Sequence, residues 1–485
     1  MNVFSGKYKN LIAVLAVFAL ILITGIFSDM YRDKDKHTVQ DGIEIAQAAS
    51  PEGQTLPETE GGYVSEPIIE TPGEGAAISG GGDINGSTSD VPAGSGPENN
   101  SGIEANADPD NNIVIDNDPY PEEETDLSQE EVISDEIPEE KPTDVESLLA
   151  SMTLHEKVCQ MIIVSTTTLT GERKLTTAGT SVQTALALYP VGGIIYDSSN
   201  FSNRNQTITM LQTTQGYSQI PLIMTLDEEG GRVARLMNSL GTTRIGPMLY
   251  YKDLGPEMAM ANASVIASDI KSFGFNLDLA PVADVWSNPQ NTVIGDRAYS
   301  DDYFQAATLV SGAVLGFHSQ GIACTLKHFP GHGDSSADSH YGAVYVYKSM
   351  DQIRREELVP FAAGIGAGAD CVMIGHLIVS EMGDEPALFN GNLIRGVLRN
   401  EMGFNGIIMT DSLQMKAMTD FYGVSEIPVR AVQAGCDVLL MPSDLPATVA
   451  ALENAVNNGT ISEARINESV RRILNLKYKY GILQF

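Results

Sequence analysis

Residues 321–340 read GIACTLKHFPGHGDSSADSH. A short apolar run ends on Lys327 and His328 and gives way to a Pro-Gly-His-Gly turn. From Lys327 to His340 the chain gathers three of its seven histidines, two aspartates and a lysine. Buried imidazole, carboxylate and ammonium groups lose hydration unless each finds a partner, so a core rarely collects them this densely. Loops positioned by a scaffold are where such groups do chemistry. The same pattern, an apolar run with a polar terminus, recurs outward from this stretch. QMIIV (160–164), GGIIY (192–196), PLIMTL (221–226), FNLDLAPV (275–282), CVMIG (371–375), GIIMT (406–410) and VLLM (438–441) bring the number of runs to eight. Each is continuously hydrophobic rather than alternating, as parallel strands buried on both faces are. Between them lie stretches of helical composition such as PEMAMANASVIASDIKSFG and DYFQAATLVSGAVLGFHSQG. Strand and helix alternating eight times predict an α/β fold of the (β/α)8 TIM-barrel type.

In such a barrel the C-terminal strand ends converge on one mouth. Asp227, Lys327, His328, His376 and Asp411 all fall there. Asp411, held directly after an apolar strand, suits a nucleophile, a stabilising carboxylate or a metal ligand. A divalent metal needs several converging carboxylates or histidines, whereas the neighbouring loops bring Arg235, Arg297 and Lys327, whose cationic groups suit hydroxyl or carboxylate recognition. No metal or other cofactor is expected. His340 stands two residues past Asp338, and an imidazole beside a carboxylate can give and take a proton near neutral pH. A carboxylate nucleophile with a separate proton donor is the logic of retaining glycoside hydrolysis. His332 is read as structural and His376 as pocket-lining.

Outside this part the composition changes. Lys7 and Lys9 precede an uncharged apolar run, Leu11–Phe27, long enough to span a bilayer as a helix. The expectation is a membrane anchor over residues 1–28, or a signal segment if cleaved, with the rest of the chain extracytoplasmic. Thr38 to Glu146 carries 28 Asp and Glu against one basic residue, Lys141, and so holds most of the net charge of −34. Too few apolar residues offset the entropy of ordering, so 29–146 reads as a disordered acidic linker and 147–485 as the catalytic barrel. The charge argues against nucleic acid as a partner and against adhesion to anionic lipid. Cys159, Cys324, Cys371 and Cys436 are widely spaced in apolar surroundings, as buried core residues are.

KHFPGHGDSSADSH, LDEEGGRVARL, NTVIGDRAYS, GIIMTDSLQMKAM and RRILNLKYKYGIL together resemble glycoside hydrolase family 3, in particular its single-domain β-N-acetylglucosaminidases. The resemblance covers essentially all of 147–485. It implies that Asp411 is the nucleophile of a glycosyl-enzyme and that His340, paired with Asp338, is the acid/base. It also places Asp227, Arg235, Arg297, Lys327 and His328 at sugar-binding positions. The expected activity is exo-acting, retaining removal of terminal N-acetylglucosamine from peptidoglycan fragments (muropeptides) or chitooligosaccharides. The catalytic domain is expected to be monomeric, without the α/β sandwich that many members add. Two rival readings stay open: a β-N-acetylglucosaminide phosphorylase, since a histidine tolerates an incoming phosphate, and a non-catalytic wall-binding or sensing module.

Overall fold

The computed structural model describes residues 142–335, 342 and 344–485. All eight expected runs are strands: β1 (Ile162–Ser165), β2 (Gly193–Ile195), β3 (Ile223–Leu226), β4 (Leu277–Asp278), β5 (Ala323–Phe329), β6 (Cys371–Ile374), β7 (Ile407–Thr410) and β8 (Leu439–Leu440). They lie in the order β7-β6-β5-β4-β3-β2-β1-β8, every pairing parallel. The ring closes between β7 and β8 without a full ladder: Val438 N donates to Ile408 O (3.1 Å) and Thr410 N to Val438 O (3.0 Å). Almost every strand residue is buried, because side chains on one face fill the barrel and those on the other meet helices.

The helices fall between the strands as the sequence predicts. Gly255–Lys271 and Tyr303–Ser319 pack tightly on each other. A Cβ at Gly316 would stand 2.3 Å from the Met260 carbonyl, so only glycine permits this approach. The C-terminal helix Glu463–Lys479 runs past the N-terminal ends of the strands and is fastened there by polar bonds. Lys477 donates to Gln160 (2.6 Å), Lys479 and Tyr480 reach Asp370 (2.6 and 2.7 Å), and Arg465 and Arg472 reach Asp437.

The expectation of a barrel preceded by a transmembrane helix is corrected. The barrel is present, but among the described residues no helix is long and apolar enough to cross a membrane. The longest reach 17 residues. The run Leu11–Phe27, on which membrane attachment and an extracytoplasmic location rested, lies outside the described residues. So does the acidic stretch up to residue 141, and membrane attachment is not retained.

Candidate active site

The strand ends meet at one mouth, where a single chain of ion pairs joins four of the expected residues. Asp227, directly after β3, receives Lys327 Nζ at 2.7 Å and Arg235 at 3.3 Å. Lys327 also meets Glu229 at 2.6 Å, and Glu229 in turn is held by two bonds of 2.8 Å from the Arg297 fork. Burial pushes both carboxylates up, but the cations outweigh it and hold Asp227 and Glu229 below the usual carboxylate range. The same pairing raises Lys327 against its own burial. The result is a fixed lattice of alternating charge, whose donors and acceptors suit a hydroxyl-rich ligand.

Lys327 and His328 are neighbours, and on a regular strand they would point to opposite faces. The register between β5 and β6 shifts between Leu326 and Phe329, and both side chains reach buried carboxylates around the mouth. His328 Nδ1 donates to Asp284 at 2.6 Å. Asp284, on the segment after β4, also accepts the backbone N–H groups of His328 (3.1 Å) and His332 (2.7 Å), so one carboxylate shapes the Pro-Gly-His-Gly turn. Gly333 is required in that turn, because a Cβ there would stand 1.7 Å from the Val285 carbonyl. Asn291 completes the fastening by donating to the His332 carbonyl at 2.7 Å.

Asp411 follows β7, its Oδ1 accepting from Ser412 N at 2.7 Å. Burial raises its pKa, yet His376, His328, the Ser412 N–H and Lys327 together bring it below the usual value. It is therefore an ionised carboxylate at neutral pH, poised to attack or to stabilise a cation. His376 lies against the same loop, donating from Nε2 to the Ser412 carbonyl at 2.8 Å.

The structure thus brings together Asp227, Arg235, Arg297, Lys327, His328 and Asp411. Asp338 and His340 lie outside the described residues. Two buried carboxylates escaped the sequence reading. Glu229 sits in an acidic triplet, DEE, at a strand end, and Asp284 stands in PVADV after another, so the strand-end rule already applied to Asp227 would have found both. Among the described residues one group could hold a metal ion: His318, Cys324 and Asp370. It lies at the opposite end of the barrel, where Asp370 already accepts from His318, Lys479, Tyr480 and Cys324 N.

Fold and site together define a (β/α)8-barrel enzyme with an ionised carboxylate beside a cationic, hydroxyl-binding lattice. The family model for the glycosyl hydrolase family 3 N-terminal domain matches residues 153–476, and the chain belongs to that family, in its β-hexosaminidase branch. A β-hexosaminidase of Xylella fastidiosa strain M23 is 36% identical over 258 residues, which are 52% of this chain and 76% of that protein. A family 3 β-N-acetylglucosaminidase from Paenibacillus superposes with a TM-score of 0.65 at 36% identity, over 68% of this chain and 63% of that one. A family 3 glycosyl hydrolase from Mycobacterium smegmatis gives 0.61 at 29% identity, over 68% of this chain and 98% of that one. The chain is accordingly a glycoside hydrolase, with family 3 glycosidase activity on N-acetylglucosamine-containing substrates in general.

Proposed function

We propose that this chain is an exo-acting, retaining β-N-acetylglucosaminidase, removing terminal N-acetylglucosamine from peptidoglycan fragments or chitooligosaccharides. The observation that carries the reading is Asp411, ionised although buried, at a strand end beside Lys327, His328 and His376. In the first step an Asp411 oxygen attacks the anomeric carbon from the face opposite the leaving group. His340, its imidazole oriented by Asp338, gives a proton to the glycosidic oxygen, and the bond to the leaving sugar breaks. In the second step His340 takes a proton from water, the hydroxide oxygen attacks the same carbon, and the bond to Asp411 breaks. Two inversions return the original configuration. Asp227, Arg235, Arg297, Lys327 and His328 hold the departing sugar's neighbour, the terminal N-acetylglucosamine, through its hydroxyls.

The test is release of p-nitrophenol from p-nitrophenyl β-N-acetylglucosaminide by the full chain. Asp411→Ala is expected to lower kcat at least about 1,000-fold and His340→Ala about 100-fold or more. An inactive wild type, or an Asp411→Ala variant with near-normal kcat, sinks the assignment. Adding phosphate and finding free N-acetylglucosamine rather than its 1-phosphate keeps the hydrolase reading.

A further inference from the structure

Past the mouth, two segments form a small parallel sheet of their own, Val344–Val346 beside Leu377–Val379, with Tyr345 opposite Ile378. They are the continuations of the chain beyond β5, which carries Lys327 and His328, and beyond β6, which leads to His376. The strand alternates: Val344 and Val346 are buried, while Tyr345 and Tyr347 stand on the other face, 39% and 82% exposed. Their rings lie nearly parallel, 15° apart with centroids 5.9 Å apart. The aromatic arc continues on the loop after β7. Tyr422 packs edge-on against Phe389 at 5.0 Å, and Arg430 lies 4.1 Å over Phe389 and 5.3 Å over Tyr422. Tyr422 has its hydroxyl pKa raised, chiefly by burial, with Tyr345 among the smaller contributors, which puts the two tyrosines in one neighbourhood. The rings therefore occupy the sector of the rim above β5, β6 and β7, three adjacent strands that include the one ending at Asp411.

The two rings are stacked, so the exposed ring of Tyr347, backed by Tyr345, offers a flat face of negative quadrupole edged by a hydroxyl. The complementary surface is a pyranose: one face of weakly positive C–H groups, with hydroxyls around the edge. The chemistry of the proposed reaction says which sugar would lie there. The proton donor must touch the oxygen that joins the two sugars, so the leaving sugar lies on the donor's side of the pocket. Tyr345 follows His340 by five residues, a span of at most about 18 Å of chain.

We propose that Tyr345 and Tyr347 form a stacking platform for the leaving-group side of a β-linked N-acetylglucosamine chain, making the enzyme selective for oligosaccharides over glycosides with small aglycones. The proposal rests on the glycosidase reading above. Its test compares kcat/KM of the full chain on the N-acetylglucosamine tetramer with that on methyl β-N-acetylglucosaminide, whose aglycone has no ring. In the double variant Tyr345→Ala/Tyr347→Ala the tetramer-to-methyl ratio is expected to fall about tenfold, mainly through KM. Tyr345→Phe/Tyr347→Phe should retain most of it, because the ring faces remain. Tyr347→Ala alone, at the more exposed position, should lower the ratio a few-fold and guards against misfolding of the double variant. An unchanged ratio overturns the platform while leaving the glycosidase reading intact. So does a loss confined to peptide-bearing substrates, which would assign the rings to a peptide. A wild type inactive on every N-acetylglucosaminide overturns both.

Discussion

Asp278 and Asp284 lie six residues apart on the same strand-to-loop segment, are both buried, and have their pKa values moved in opposite directions. Burial drives the Asp278 carboxyl well above its ordinary pKa, and neighbouring Glu228 and Asp227 add to the rise against Lys327 and the Glu228 N–H, so its protonated form is favoured. Asp284 feels the same burial, but His328 and His332 outweigh it and leave the group ionised. The difference predicts different costs for the same substitution. Asp278→Asn keeps a neutral group of equal size, with an oxygen for Glu228 N, and should change kcat/KM by no more than a few-fold. Asp284→Asn removes the charge beside His328 and leaves one oxygen where two accept, so that if the shared backbone acceptor is kept an NH2 group faces the His328 Nδ1–H donor at the Pro-Gly-His-Gly turn. Displacement of a site group by about 1 Å can cost on the order of 100-fold, and that is the expected loss in kcat/KM on the aryl glycoside. Equal effects of the two substitutions would refute this account.

At the scale of elements, the C-terminal helix shows what a buried charge cluster does in this fold. Asp437, just before β8, is fully buried and receives Arg399, Arg465 and Arg472, with Ser469 donating at 2.7 Å. Taking away the carboxylate leaves three guanidinium groups facing one another where water does not reach. Asp437→Ala should therefore destabilise the barrel by about 3–5 kcal/mol, read as a lowered denaturant midpoint with an unchanged slope. Stability within about 1 kcal/mol of wild type would show the cluster to be dispensable. The strands were legible in the sequence because a run buried on both faces is mostly apolar along its length, and charged groups gather towards its end, where Asp227, Lys327 and Asp411 stand. The anchoring of the C-terminal helix was legible only as a motif. Lys477 and Lys479 find their partners at Gln160 and Asp370, far away in sequence, and no local spacing encodes such a meeting. The rim sheet was illegible for a related reason: three-residue strands such as Val344–Val346 are too short for a period to declare itself. Glu229 and Asp284 were within reach of the strand-end rule, and what hid them was the greater prominence of Asp227 and the histidine segment beside them.

For the whole molecule, two buried groups at opposite places in the fold pull the stability against pH in opposite directions. Glu357 lies under the Pro-Gly-His-Gly turn, with Lys348 at 2.7 Å and Tyr303 at 3.3 Å, and burial raises it from 4.5 to about 7 despite Lys348. Lys477 lies under the barrel floor with Gln160 as its hydrogen-bond partner, and burial lowers it from 10.5 to about 7. Between pH 4.5 and 7 the native chain keeps the Glu357 proton that the unfolded chain has lost, so stability falls as pH rises through that window. Between pH 7 and 10.5 the unfolded chain holds the Lys477 proton that the native chain lacks, so stability rises with pH. Each contribution is on the order of a few kcal/mol across its window. Together they predict a dip in the unfolding free energy near pH 7, between shoulders at about pH 5 and pH 9.5. Below pH 4 stability is lost again as Asp227, Glu229, Asp284 and Asp411, whose pKa values are depressed in the native state, take up protons. Urea midpoints of the full chain at pH 5, 7 and 9.5 give the profile, and two substitutions separate its halves. Glu357→Gln should flatten the limb between pH 5 and 7 and leave the other. Lys477→Met should raise stability at pH 7 and flatten the limb between pH 7 and 9.5. A monotonic profile in wild type, or a Lys477→Met variant as steep as wild type above pH 7, would mean that the floor of the barrel admits enough water to keep Lys477 charged.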